Sequence, residues 1–276
     1  MKRALVFDSG VGGLSVLDAV AASGSAIELD YLADNAWLPY GLKSDAELAD
    51  RIPKLLARAA EQWAPDAVVL ACNTASTIAL DQTRAALSVP VIGVVPPIKP
   101  AAAATRTGVI GLLATPATVR RVYTNQLIAD FAPDKRVVRH GSAALVAAAE
   151  AKLRGAPVDS SAVLEAVTGL FAAPGGAEID AVALACTHFP LLIEELKAGA
   201  PRPCLWLDSG DAIARRLANV LILSPGPARA RRAGFTDAKA AAALFPAFRA
   251  RGFSAFAGLS PAPSFDAAPV PDTAAA

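Results

Sequence analysis

Two short apolar runs without polar alternation stand out in the pattern of hydrophobic and polar positions along the chain. The first extends from Asp66 to Cys72 (DAVVLAC) and the second from Asp180 to Cys186 (DAVALAC). A short apolar run of this kind is typical of a strand buried on both faces of a parallel sheet. Both cysteines are therefore predicted at the carboxyl ends of strands, where ligands and chemistry collect in open α/β sheets.

The two runs are near copies, and this internal similarity predicts a duplicated α/β unit with one cysteine in each half. The predicted fold class is α/β, with two pseudo-symmetric open parallel-sheet domains that face each other across a cleft. Pro96 and Pro97 follow a predicted strand and mark a crossing between the domains. We expect the first domain at residues 1–96 plus 208–258, the second at 97–207, and a disordered Pro/Ala-rich tail at 259–276.

Strands and helices are predicted to alternate around these two runs. Ser44 followed by Glu47 is a capping-box pattern, which predicts a helix from Ser44 to Trp63. A single helix after Thr118 is expected to end near Phe131, and a last helix with weak periodicity is expected at 237–249. The other predicted strands are 4–7, 27–33, 89–93, 108–113, 136–139 and 204–207, and the other predicted helices are 14–21, 74–87, 142–153, 158–172 and 212–223.

Three loops at predicted strand ends carry candidate ligand-binding residues. Strand 4–7 ends in Asp8-Ser9-Gly10-Val11-Gly12-Gly13, where glycines let the backbone approach a ligand, although such turns are more often plain strand-to-helix connections. Pro39-Tyr40-Gly41 is equally consistent with loop packing and with a pocket wall. Thr115 and Thr118 suit helix capping, which is the favoured interpretation, or a carboxylate ligand.

Composition narrows the class of protein. Apolar residues make up 54% of the 276 positions and aromatic residues only 6%, which favours helices packed on a parallel sheet over a β-sandwich. The net charge is +1 and no basic stripe is present, so no nucleic-acid partner is expected. No run suits a spanning helix or a signal peptide, which predicts a cytoplasmic protein with no membrane partner. Three well-separated cysteines do not form a disulfide framework.

The paired thiols suit a reaction that a single base cannot perform. Racemising an amino acid removes an α-proton from one face and returns a proton to the opposite face. One thiolate and one thiol fit this task, because an ordinary thiol pKa of about 8.5 needs only modest tuning. Asp8 and His188 are the candidate tuning groups, since nearby charge controls the thiolate fraction.

Other interpretations compete with this one. A free cysteine is more often a small buried hydrophobe, which is our expectation for Cys204 but not for the duplicated pair. The cysteines lack the ligand spacing of a zinc site, so no metal is expected. A cysteine hydrolase built on Cys186 and His188 is disfavoured, because side chains two apart in an extended segment do not readily meet. Glu150, alone in an Ala-rich helix, is expected to be solvated on sequence grounds.

The chain resembles the glutamate racemase family of the aspartate/glutamate racemase superfamily. The resemblance extends from about Lys2 to Leu221. It rests on five motifs that are specific together, although none of them would suffice alone. These are, in order, FDSGVGGL from Phe7, Asp34 with Pro39-Tyr40-Gly41, ACNTAS from Ala71, GLLAT from Gly111, and CTHFPLL from Cys186. It implies a cofactor-independent interconversion of L- and D-glutamate that supplies D-glutamate for bacterial peptidoglycan.

The resemblance also implies roles for individual residues. Cys72 would deprotonate D-glutamate and Cys186 L-glutamate, assisted by Asp8 and His188, and Glu150 matches a further family acid. Substrate contacts are implied at Asp8, Ser9, Tyr40, Gly41, Asn73, Thr74, Thr187 and His188.

Two alternatives stay open at this stage. One is another member of the superfamily, such as an aspartate racemase, whose substrate differs from glutamate by one methylene. The other is a non-catalytic binding protein with the same fold. The oligomeric state, including a homodimer, is also open.

Overall fold

Ten strands form two parallel sheets in the computed structural model, which describes residues 1–259. The strands are β1 Lys2–Asp8, β2 Ile27–Ala33, β3 Ala67–Leu70, β4 Val91–Gly93, β5 Val109–Ala114, β6 Arg136–Gly141, β7 Ala181–Ala185, β8 Leu205–Leu207, β9 Arg229–Phe235 and β10 Ala255–Gly258. The first sheet has the order β10-β9-β2-β1-β3-β4 and the second β6-β5-β7-β8. We call each sheet with its helices the first half and the second half.

Helices cover the faces of both sheets, as parallel strands require. The α-helices are α1 Gly13–Ala22, α2 Asp45–Trp63, α3 Asn73–Ala86, α4 Ile98–Ala104, α5 Pro116–Arg120, α6 Val122–Phe131, α7 Ala144–Leu153, α8 Ser160–Phe171, α9 Ile193–Gly199, α10 Gly210–Leu221 and α11 Phe245–Arg249. Short 3-10 turns lie at Asn35–Trp37, Tyr40–Leu42, Gly176–Glu178, Phe189–Leu192 and Ala242–Leu244.

The strand order β2-β1-β3-β4 of the first sheet repeats as β6-β5-β7-β8 in the second. The two apolar runs of the sequence become β3 and β7, which occupy equivalent places, each beside the first strand of its half. The prediction of two pseudo-symmetric parallel sheets is therefore confirmed. The domain limits at residues 96/97 and 207/208 stay a prediction.

Burial on both faces explains why the central strands lack polar alternation. In β1, Ala4 and Val6 pack into one core cluster, whereas Leu5 and Phe7 pack into another on the opposite face. β7 behaves in the same way, with Val182 and Leu184 on one side and its three alanines on the other. Small side chains on one face of β7 let helices approach closely.

The capping box of α2 is confirmed at Ser44 and Glu47.

The helices after β5 differ from the sequence prediction. The single helix expected to reach Phe131 is wrong: Arg121 is extended and separates α5 from α6, while its guanidinium makes a bidentate pair with Asp45 of the first half.

The C-terminal part of the chain was predicted least well. A helix over 237–249 is wrong, because only 245–249 form an α-helix and the sequence around it pairs as β9 and β10. The arginine-rich start of β9 hides its strand character, since polar side chains are tolerated on a partly exposed strand. Leu259, expected in the tail, is instead buried in the core cluster that contains Leu5 and Phe7 of β1. Residues 260–276 of the predicted tail lie outside the described residues.

A buried ion pair anchors the loop that follows β2. The Asp34 carboxylate accepts from Arg51 Nε at 2.7 Å and Nη2 at 2.8 Å, and also from the Tyr40 hydroxyl at 2.7 Å. Thr236 at the end of β9 donates to the same carboxylate at 2.8 Å. Four charge-assisted bonds thus satisfy a carboxylate with no exposed surface.

We predict that Arg51→Met lowers the free energy of unfolding by about 3–5 kcal/mol, because it leaves the Asp34 charge buried with its cationic partner removed. Denaturant unfolding measures this change. Arg84→Met is the matched control: Arg84 belongs to an exposed pair with Asp81, so its unfolding midpoint should stay near that of the wild type. Equal effects of the two substitutions would contradict the prediction.

Candidate active site

Two cysteines at equivalent strand ends line one cavity between the halves. Cys72 lies just beyond β3 and caps the start of α3, and Cys186 directly follows β7. Each thiol is 7% exposed, and both are free cysteines. The carboxyl ends of the two sheets face each other, so the duplication brings both thiols to the same chamber.

The cavity is small, with a volume of about 30 Å³. The residues that line it are Ser9, Leu38, Pro39, Tyr40, Gly41, Cys72, Asn73, Thr74, Thr115, Thr118, Val146, Ala185, Cys186, Thr187 and His188.

Asp8 lies behind the cavity wall rather than on it. Its carboxylate has no exposed surface and accepts from the Gly10 amide at 2.7 Å and from the Thr187 hydroxyl at 3.0 Å. Because Thr187 belongs to the second half, this bond crosses between the halves. Asp8 therefore supports the wall and is not among the residues that line the cavity, and its contact with a substrate stays a prediction.

Glu150 and His188 form a buried pair beside Cys186. Glu150 Oε1 lies 3.0 Å from His188 Nε2 and accepts from the Val11 amide at 2.7 Å, while His188 Nδ1 lies 3.9 Å from the Cys186 sulfur. Two expectations from the sequence are wrong here. Glu150 is buried, and the chain turns helical at His188 instead of staying extended, so the side chains of residues 186 and 188 do meet.

The glycines of the loop after β1 make room for this pair. A Cβ at Gly10 would overlap the Glu150 carboxylate, and one at Gly12 would overlap the His188 ring. The loop therefore needs glycine because charged groups of the second half reach its backbone, not because of a left-handed conformation.

The electrostatic environments of the two thiols differ. Burial first, and then the Asp8 charge, raise the pKa of Cys72 to about 12, so this group is a neutral thiol near pH 7. Burial opposes the charge on His188, but its hydrogen bonds to Cys186 and Glu150 raise the pKa of the imidazole well above its ordinary value. Burial likewise opposes the charge on Glu150, yet His188 holds the pKa of that carboxyl below its usual range.

These directions leave an imidazolium next to Cys186 and a neutral thiol at Cys72. A cation within reach of a sulfur favours the thiolate, whereas a buried anion near a sulfur disfavours it. The site thus places a cation beside the Cys186 sulfur and keeps Cys72 as a neutral thiol.

Polar groups on the remaining walls are open to a ligand. Among the described residues, the buried Asn73 Nδ2 has no hydrogen-bond partner. Asn73 and Thr74 form the N-terminus of α3, where unpaired amides favour an anion. The Ser9 hydroxyl lies 3.8 Å from the Cys72 sulfur. Tyr40, whose hydroxyl donates to Asp34, lines the cavity together with Gly41.

Sequence reasoning missed part of the opposite wall. Thr115 caps α5, as the sequence analysis favoured, and its hydroxyl lies 3.0 Å from the hydroxyl of Thr118. Both residues also line the cavity. Their hydroxyls had suggested a carboxylate ligand as the second interpretation of the sequence. Val146 and Leu38 line the cavity with no sequence signal beyond being apolar.

Residues 1–259 contain neither a metal-binding cluster nor a membrane-spanning helix. No group of three or more histidine, cysteine or acidic side chains lies close enough together to bind a metal ion. No helix there is both long enough and apolar enough to cross a membrane.

The known proteins to which this chain is similar are racemases. The family model described as Asp/Glu/Hydantoin racemase matches residues 14–217. A glutamate racemase of Sphingopyxis alaskensis is 54% identical over 216 residues, which cover 78% of this chain and 81% of that protein. One of Vibrio vulnificus is 44% identical over 254 residues, or 91% and 94% of the two chains.

A solved structure is similar over nearly the whole chain. It is Escherichia coli glutamate racemase in complex with L-glutamate and the activator UDP-MurNAc-Ala, which is 41% identical with a TM-score of 0.87 and covers 94% of this chain and 98% of its own. The match of the family model over most of the chain, together with these relatives, places the protein in the Asp/Glu/hydantoin racemase family.

Proposed function

We propose that this protein is a glutamate racemase that interconverts L- and D-glutamate with two cysteines and no cofactor. The observation that carries the proposal is the pair of thiols at equivalent strand ends of two similar sheets, lining one cavity. The similarity to curated glutamate racemases over most of both chains supports the choice of substrate.

In the direction from L to D, the Cys186 thiolate removes the α-proton of L-glutamate. The electron pair of the broken C–H bond stays on the α-carbon and is delocalised into the α-carboxylate. The Cys72 thiol then delivers its proton to the opposite face, which forms D-glutamate and leaves Cys72 as the thiolate. The reverse reaction starts from that thiolate, so each thiol is the base for one enantiomer and the acid for the other.

The imidazolium of His188 supports the Cys186 thiolate from 3.9 Å, and Glu150 keeps the imidazole charged. Asp8 acts from behind the wall by holding Thr187, and its charge adds to burial in raising the pKa of Cys72. This arrangement gives the two chemically identical side chains different electrostatic surroundings.

Substrate charge is met by groups on several walls. The Asn73 amide, Thr74 and the N-terminus of α3 suit one carboxylate, with Ser9 and Thr187 nearby. Thr115 and Thr118 suit the other carboxylate from the opposite wall. Tyr40, Gly41 and His188 complete the enclosure.

The proposal includes a cellular role. D-glutamate is a component of peptidoglycan, so the protein would supply this precursor in the cytoplasm. It requires no nucleic-acid or membrane partner, and it is compatible with either a monomer or a homodimer.

The first test removes each thiol. Cys72→Ser and Cys186→Ser should each lower racemisation by at least about 1,000-fold, because a serine hydroxyl is a far weaker acid than a thiol and cannot share the proton transfer. Polarimetry, with NMR detection of α-proton exchange in D2O, measures the loss. Cys204→Ser, a half-buried thiol outside the cavity, is the control and should keep wild-type activity. Racemisation retained in both site variants would contradict the two-thiol mechanism, whereas a wild-type protein without racemase activity would support a non-catalytic binding protein.

The second test uses pH. If the imidazolium is required, activity falls as pH rises through the raised pKa of His188. Glu150→Gln removes the carboxylate that sustains this charge, so the pKa of His188 drops and the alkaline limb of kcat/KM shifts to lower pH. Glu165→Gln alters the exposed pair with His140 and serves as the control. An alkaline limb that stays in place in Glu150→Gln would rule out this role.

The third test compares substrates. Glutamate and aspartate differ by one methylene, which is worth about 10- to 200-fold in kcat/KM. We expect glutamate to be favoured by a factor in this range when both are assayed by α-proton exchange in D2O. A preference for aspartate would assign the chain to the alternative member of the superfamily.

A further inference from the structure

Tyr31 is a buried polar side chain that the reaction described above does not use. It lies on β2 with no exposed surface, and its ring packs edge-on against Phe248 of α11 with centroids 5.1 Å apart. The hydroxyl donates to the Gly10 carbonyl at 2.7 Å. Burial and the charges of Asp8 and Glu150 raise the pKa of the phenol well above its ordinary value, so Tyr31 keeps its proton and stays a donor.

The acceptor of this bond belongs to a peptide group with a second task. The Gly10 carbonyl and the Val11 amide are the two ends of one planar peptide unit. Its N–H donates to Glu150 Oε1 at 2.7 Å, while its carbonyl accepts from Tyr31. The hydroxyl therefore sets the orientation of the peptide plane and polarises the amide that binds the carboxylate.

The same line of contacts continues to one thiol only. From Glu150 it passes to His188 Nε2 at 3.0 Å and from His188 Nδ1 to the Cys186 sulfur at 3.9 Å. Cys72 is contacted by Ser9 instead and lies outside this line. A change at Tyr31 should therefore affect the two proton transfers unequally.

We propose that Tyr31 is a positioning residue for the Cys186 proton transfer, acting through the Gly10–Val11 peptide on Glu150 and His188. The inference rests on the proposed function, because it assigns Tyr31 to the step that removes the α-proton of L-glutamate. The packing of the Tyr31 ring fixes the position of its hydroxyl. The hydroxyl in turn orients the Gly10–Val11 peptide, which binds Glu150 of the Glu150–His188 pair.

Tyr31→Phe tests this with almost no change in volume. The variant keeps the ring packing and loses the hydrogen bond to Gly10, and we expect kcat/KM to fall about tenfold. The fall is equal for both enantiomers, since the equilibrium constant of a racemisation is one. Tyr123→Phe removes a partly exposed hydroxyl away from the cavity lining and is the matched control.

Primary deuterium isotope effects separate positioning from a general loss of packing. When the Cys186 transfer becomes slower, cleavage of the α-C–H bond of L-glutamate limits the rate. The isotope effect on kcat/KM should then rise with α-deuterated L-glutamate and fall towards one with α-deuterated D-glutamate. A merely structural role lowers the rate and leaves both isotope effects unchanged.

The ring titration of His188, followed by NMR without substrate, provides a second readout. Asp8, Glu150 and Cys186 face this ring, and weaker alignment of Glu150 should lower the pKa of His188 in Tyr31→Phe. An unchanged kcat/KM overturns the inference, as does a reduced one with isotope effects and His188 titration both unchanged. A wild-type protein that does not racemise glutamate refutes the proposed function instead, and the titration then decides the positioning role alone.

Discussion

The buried pair of Glu150 and His188 is the interaction on which the rest of the site depends. Charges that leave water must be paired and hydrogen-bonded, and here the partners come from both halves: Val11 binds the carboxylate, while Thr187 binds Asp8. The same contacts hold the halves against each other around the cavity. They also account for the glycine-rich loop, because side chains at Gly10 and Gly12 would occupy the space of the pair.

Symmetry of the fold and asymmetry of the charges have separate roles. The repeated strand order brings two thiols to one chamber, which is the geometry that a two-sided proton transfer needs. The surroundings of the two sulfurs nevertheless differ. His188 lies beside the Cys186 sulfur, whereas burial and the Asp8 charge keep Cys72 a neutral thiol. The two copies of one structural unit thus surround their cysteines with different charges.

The position of Tyr40 in the cavity wall depends on parts of the chain that are distant in sequence. Asp34 fixes Tyr40, Arg51 of α2 neutralises Asp34, and Thr236, directly after β9, completes the set. Strand β9 lies beyond the region matched by the family model. Its polar start made it unrecognisable as a strand, yet it leads into a residue that supports the wall of the cavity. Weak local patterning therefore does not indicate a weak structural role.

The sequence by itself determined the sheet class, the duplication and the two cysteines at strand ends, because apolar periodicity and repeated segments are local properties of the chain. The resemblance carried by its motifs also implied most of the residues that line the cavity. Only the tertiary structure decided that Glu150 is buried, that His188 reaches Cys186, and that Asp8 lies behind the wall. Each of these depends on contacts between residues far apart in the chain, and pKa values follow from burial and neighbouring charge, which no local pattern encodes.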